Sequence, residues 1–93
     1  SQSDVNALGI IETFDASQII VAADNAVKTA EVSLIEIRLA RGMCGKSYAI
    51  MTGEVAAVTA AIERAKDVVS ESGMFLDSSV IARPDKKLIE KIL

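Results

Sequence analysis

The chain reads as an α/β (α+β) domain: a ferredoxin-like βαββαβ arrangement, with one antiparallel sheet and a short C-terminal helix. Three observations predict it. Two stretches carry apolar residues at helical spacing, four shorter stretches are β-compatible, and the order along the chain is β-α-β-β-α-β. Ninety-three residues make a single domain, 1–93, with no room for a second core.

The first strand is "NALGIIETF" (6–14), apolar and bounded by a helix start. Asp15 is the predicted N-cap, with Gln18 three residues on to complete a capping box. Ala16, Ile19, Ile20, Ala23, Ala26, Val27 and Ala30 then recur at helical spacing. "VSLIEIRLA" (32–40) reads as a strand with Ile35, Ile37 and Leu39 on one face. After a glycine-containing loop, "KSYAIMT" (46–52) reads as its hairpin partner. A longer helix is expected over about 54–72, where Val55, Val58, Ile62, Ala65 and Val69 step by three and four and Gly73 is placed to cap the end. "MFLDSSVIA" (74–82) is the last strand, with Leu76, Ser78 and Val80 alternating against Phe75, Asp77, Ser79 and Ile81. Arg83-Pro84 stops it, and "DKKLIEKIL" is the final helix.

The composition narrows the function. A chain of this size buries only about 60–65 % of the surface it exposes when unfolded. Yet 51 % of its residues are hydrophobic. Apolar side chains in excess of the core must reach the surface, where a partner covers them, so self-association is expected. Ten basic against 13 acidic residues give a net charge of −3, which argues against a nucleic-acid binder. Three aromatic residues, Phe14, Tyr48 and Phe75, are too few for a base-stacking platform. The longest strictly apolar run in the first helical stretch, Ile19 to Ala23, is far short of a membrane span. The polar start "SQSDVN" lacks the basic residues of a secretory signal, and a lone cysteine builds no disulfide framework; a cytoplasmic setting is expected.

The chemistry-bearing stretch is "LARGMCGKSYAIMTG" (39–53), which holds the single cysteine, Cys44, between Gly42 and Gly45 and between Arg41 and Lys46. Residues 40–47, "ARGMCGKS", fit a loose phosphate-loop pattern. That chemistry needs a helix starting at the Lys-Ser, whereas Lys46 and Ser47 open a strand, and Ala40 lacks glycine's freedom. A Cys–His nucleophile is excluded because the chain has no histidine. Arg41 and Lys46 would favour a thiolate at Cys44, but no general base is evident. One cysteine cannot hold a metal cluster alone, although a cyclic oligomer with this loop on its axis would gather one Cys44 from each subunit. A free thiol in a glycine turn is the plain alternative.

"ALGIIET", "AADNAVKTAEVSLI", "TGEVAAVTAAIERA" and "SVIARPD" stand in an order that resembles the bacterial microcompartment shell proteins, over roughly Ala7 to Leu93. The resemblance implies the βαββαβ-type fold and flat cyclic hexamers, or trimers of a tandem-domain form. It also implies edge-to-edge tiling into a protein shell in the bacterial cytoplasm, with self and other shell proteins as partners and no enzymatic activity. Carried over to this chain, it places a central pore at Gly42, Met43, Cys44, Gly45 and Lys46. Lys28, in "DNAVKTAEV", and Arg83, in "ARP", fall at the tile edge. The loop is longer than the short small-residue loop common in the hexamers and carries Cys and "GK". In this it more closely resembles the second half of the tandem-domain shell proteins of propanediol-utilising compartments, which implies Cys44 as a metal ligand to an iron–sulfur cluster, 4Fe–4S, on the symmetry axis. Two other classes fit the residues: a ferredoxin-like small-molecule-binding regulatory domain, and an electron-transfer protein that carries the cluster without tiling. For Lys28, the residues alone give a solvated helix position paired with Asp24 four residues earlier.

Overall fold

A computed structural model describes residues 6–39 and 45–82, with Leu76 described in its backbone only. The element order is β1 (Asn6–Thr13), α1 (Ala16–Thr29), β2 (Val32–Arg38), β3 (Ser47–Glu54), α2 (Val55–Ser70) and β4 (Phe75–Ala82). The expected final helix and the proline stop at 83–84 lie outside the described residues. The four strands form one sheet in the order β2-β3-β1-β4, every neighbouring pair antiparallel. β3 lies between β1 and β2, and β1 between β3 and β4. Each helix therefore bridges two parallel strands across a third, which is the ferredoxin-like split βαβ repeated twice.

Both helices pack on one face of the sheet. Ala7, Gly9 and Ile11 of β1 and Ala49 and Met51 of β3 alternate onto that face. They meet Ile19, Ala22, Ala23 and Ala26 of α1 and Val58, Ala61, Ile62, Ala65 and Val69 of α2, all buried. The alanines let the two helices approach the sheet and each other closely. The larger side chains, Ile11, Ile19, Met51 and Ile62, each contribute about 1.5–3 kcal/mol by leaving water.

Asp15 caps α1 as expected. Its carboxylate accepts from the Ser17 amide and from the Ser17 hydroxyl, both at 2.7 Å, so the cap closes on Ser17. These two bonds hold the Asp15 carboxyl below its ordinary value. α2 ends in a turn where Ser72 and Gly73 donate back to Val69 and Ser70, and Gly73 takes the left-handed backbone at φ 76°.

Two register breaks depart from the sequence expectation. In β2, Leu34 pairs with Met51 and Glu36 with Ile50, leaving Ile35 as an inserted residue. Leu34 and Ile37, opposite Met51 and Ala49, therefore share the helix-facing side, whereas simple alternation groups Ile37 with Ile35 and Leu39. In β4, Asp77 pairs with Glu12 and Phe75 with Thr13, so Leu76 is inserted and Phe75 joins Ser78 and Val80 on the helix face. Phe75 then packs against the core, with the Lys66 ammonium 5.6 Å from its ring centroid.

Candidate functional site: the β2–β3 hairpin end and the α1 flank

The loop singled out by its cysteine joins β2 to β3. Of the expected pore residues, Gly45 is half-buried and Lys46 exposed, immediately before the buried Ser47 that opens β3. Gly42, Met43 and Cys44 lie outside the described residues, as does Arg83 of the expected tile edge. The expected Cys44 metal site is consequently not among the positions described. Among the described residues, no group of three His, Cys, Asp or Glu side chains is placed to hold a metal ion.

The hairpin end that carries this loop is built from polar groups on the sheet face opposite the helices. The last rung pairs Arg38 with Tyr48, and Tyr48 in turn lies opposite Glu12 of β1, which lies opposite Asp77 of β4. The Tyr48 hydroxyl donates to Glu36 Oε2 at 2.9 Å, and Arg38 Nη2 reaches the same oxygen at 3.2 Å. The carboxylate facing it, and then burial, push the Tyr48 phenol above its ordinary value, with Arg38 acting in the opposite direction. No spacing in the sequence marks this trio. Glu36 and Tyr48 are 12 residues apart, and their meeting depends on the inserted Ile35.

The second region is the outer flank of α1. Lys28 lies in the last turn, its ammonium 2.9 Å from Asp24 Oδ2, with both side chains more than half exposed. Ile20 and Val27, both in the apolar set read at helical spacing, are exposed, Ile20 to 51 %. Val21 on the same helix and Leu34 on the edge strand β2 are likewise exposed. Part of the apolar surplus expected from the composition lies here, and part lies elsewhere among the described residues, at Phe14, Leu39, Met74 and Ile81. No helix among the described residues is long and apolar enough to cross a membrane.

An antiparallel split-βαβ domain with an apolar flank and a polar hairpin end is a fold class shared by many functions. Comparison with known proteins narrows it. The BMC domain family model matches residues 7–84, and the chain belongs to that family. It is 38 % identical over 82 residues to the bacterial microcompartment shell protein PduT of Citrobacter freundii, covering 88 % of this chain and 45 % of that protein. It is also 38 % identical over 88 residues to the carboxysome shell protein CsoS1A of Hydrogenovibrio crunogenus, covering 94 % of this chain and 88 % of that one. A crystal structure of a microcompartment protein from Desulfitobacterium hafniense DCB superposes with a TM-score of 0.84 at 46 % identity, over 90 % of this chain and 47 % of that one. The chain thus spans about half the length of PduT and of the Desulfitobacterium protein.

Proposed function

We propose that the chain is a structural shell subunit of a bacterial microcompartment, working without catalysis in the bacterial cytoplasm. It closes into a flat six-lobed ring, either as six copies or as half of a tandem chain that forms trimers. The observation that carries this reading is the family match over 7–84, together with relatives that are themselves shell proteins. The exposed Ile20, Val21, Val27 and Leu34 support it, because a monomer gains nothing by leaving such side chains in water and a ring interface covers them.

In this reading Gly42, Met43, Cys44, Gly45 and Lys46 line the pore on the ring axis, and Lys28 and Arg83 sit at the edge where rings meet other rings or other shell proteins. Cys44 is the ligand for a 4Fe–4S cluster on the axis. The donor set fits a cluster only between copies, since each chain supplies one thiolate and a cubane needs several. Three symmetry-related Cys44 thiolates suit the cluster; a ring of six would leave three unused. Such a cluster supplies one-electron chemistry, and the protein's part is to bring the thiolates together and fix their spacing.

Native mass spectrometry under anaerobic conditions, after reconstitution with iron and sulfide, tests both levels of the proposal. A three- or six-fold mass supports the ring, and added iron and sulfur that are lost in Cys44→Ala support the cluster. An iron-free ring keeps the shell reading and removes the cluster. A monomer or dimer without metal overturns both and favours the regulatory-domain reading, whose signature is a melting temperature raised by a small ligand. A metal-bearing ring that never tiles favours the electron-transfer reading.

A further inference from the structure

The β2–β3 hairpin carries a device that the shell reading leaves unused. If the alternation of Val32 and Leu34 ran on unbroken, residue 36 would stand opposite Ala49, and Glu36 would enter the apolar space beneath the helices. The inserted Ile35 prevents this. It shifts the register by one residue, so that Glu36 pairs with Ile50 and faces the helix-free side while Ile37 takes the place opposite Ala49. On that side Glu36 Oε2 accepts from the Tyr48 hydroxyl at 2.9 Å and from Arg38 Nη2 at 3.2 Å. Arg38 and Tyr48 form the final rung of the β2–β3 ladder, at which β2 ends. One carboxylate therefore ties the two strands together at their last paired residues, and a bulge places it there.

We infer that Tyr48 is a positioning residue: its hydroxyl, held by the Glu36 carboxylate that the Ile35 bulge turns toward it, locks the rung from which residues 39–46 depart. The consequence for function rests on the shell reading, in which a fixed rung holds the pore segment of each subunit at one place around the axis. The lock itself is a property of the hairpin. Charge-assisted bonds of this kind are among the stronger ones available to a half-exposed side chain, and both Arg38 and Tyr48 converge on a single oxygen.

The chain offers a clean probe, because Tyr48 is its single tyrosine and it contains no tryptophan. Phenolate absorbance during an alkaline titration therefore reports this residue alone. The groups that share its face are Glu36 and Arg38 of β2, Glu12 of β1 opposite Tyr48, and Asp77 of β4 beyond Glu12. A carboxylate that accepts from the phenol disfavours the phenolate, so the wild-type midpoint is expected above the ordinary tyrosine value of 10.0. Glu36→Gln removes that charge and is expected to lower the midpoint, with Glu12 and Asp77 unchanged.

Amide hydrogen exchange of the 93-residue chain supplies the second readout. Tyr48→Phe is expected to speed exchange several-fold at 37–39 and 45–48, with no change in the amides of α2 and β1. Glu36→Gln, which keeps an acceptor for the hydroxyl but loses the charge, is expected to speed exchange at the same amides by less than Tyr48→Phe does. A wild-type midpoint that Glu36→Gln does not move, or exchange that Tyr48→Phe leaves unaltered, overturns the lock. Ring mass, measured separately, decides the shell reading, so the two inferences fail by different observations.

Discussion

Gly9 of β1 lies directly beneath Val58 of α2. A β-carbon at residue 9 would stand 2.6 Å from Val58 Cγ1 and 2.9 Å from Ile62 Cγ1. Both neighbours are β-branched, buried and held in a packed interior, so neither swings aside cheaply. The glycine is what lets α2 settle onto the sheet at this distance.

Gly9→Ala is therefore expected to destabilise the fold through overpacking, by about 1–3 kcal/mol. Thermal or denaturant unfolding measures it, with 1 kcal/mol moving the melting temperature by roughly 4–8 °C in a domain of this size. Adding Val58→Ala to Gly9→Ala removes the atom nearest the new methyl, and the pair should be less destabilising than the sum of the two single changes. Strict additivity would mean that Gly9 and Val58 do not meet as described.

The acid limb of the stability curve should carry the signature of Asp15. Its carboxyl is held below the ordinary value of 3.8 by the Ser17 side-chain bond first and the Ser17 amide second. A depressed folded value means that the cap stabilises above the unfolded value and loses its effect as pH falls through the lower, folded one. The window thus lies at and below pH 3.8. Asp15→Asn retains a capping oxygen but has no proton to take up, so its stability should fall less steeply across that window. Asp15→Ala should be less stable than both near neutral pH. Parallel acid slopes for wild type and Asp15→Asn would refute the cap's contribution.

The helices and most of the strand pattern were legible because their apolar residues repeat at fixed spacing and end at readable signals such as Asp15 and Gly73. What the pattern could not carry was register. Ile35 and Leu76 are each inserted against one partner position, and a bulge is defined by the facing strand rather than by its own sequence. Phe75 changed faces for that reason, as did the partners of Ile37. The Glu36–Tyr48 bond is a consequence of the same inserted residue and was equally invisible. Ile20 and Val27 show a different limit: helical spacing marks a residue as apolar but does not say whether the chain itself or a partner covers it. Lys28 alone among the tile-edge positions falls in the described residues, where it is paired with Asp24 and exposed.

Cys44 is the sole thiol in the chain, so any thiolate cluster depends on it. Reconstituted anaerobically, wild type is expected to turn brown with a thiolate-to-iron absorption band, and Cys44→Ser to remain colourless while keeping the ring mass. The far-ultraviolet circular dichroism of Cys44→Ser should match wild type, which separates loss of a ligand from loss of the fold. Equal iron content in Cys44→Ser and wild type would overturn the ligand assignment.

Lys28 and Asp24 form an exposed pair at positions i and i+4 of α1. Such a pair contributes only a few tenths of a kcal/mol, so Lys28→Ala should leave the melting temperature of the protein almost unchanged. If Lys28 makes the contact between rings, the same substitution should still abolish extended sheets, seen by electron microscopy as discrete rings in place of ordered arrays. Asp24→Ala supplies the control, since it removes the intrahelical partner but leaves the ammonium in place. Sheets should therefore survive in Asp24→Ala and be lost in Lys28→Ala. Arg83→Ala should weaken tiling in the same assay, because the proposed edge uses both cations. Normal sheets from Lys28→Ala would move the edge elsewhere on the tile. Loss of sheets in both Lys28→Ala and Asp24→Ala would show that the helix pair itself, rather than the free ammonium, shapes the contact.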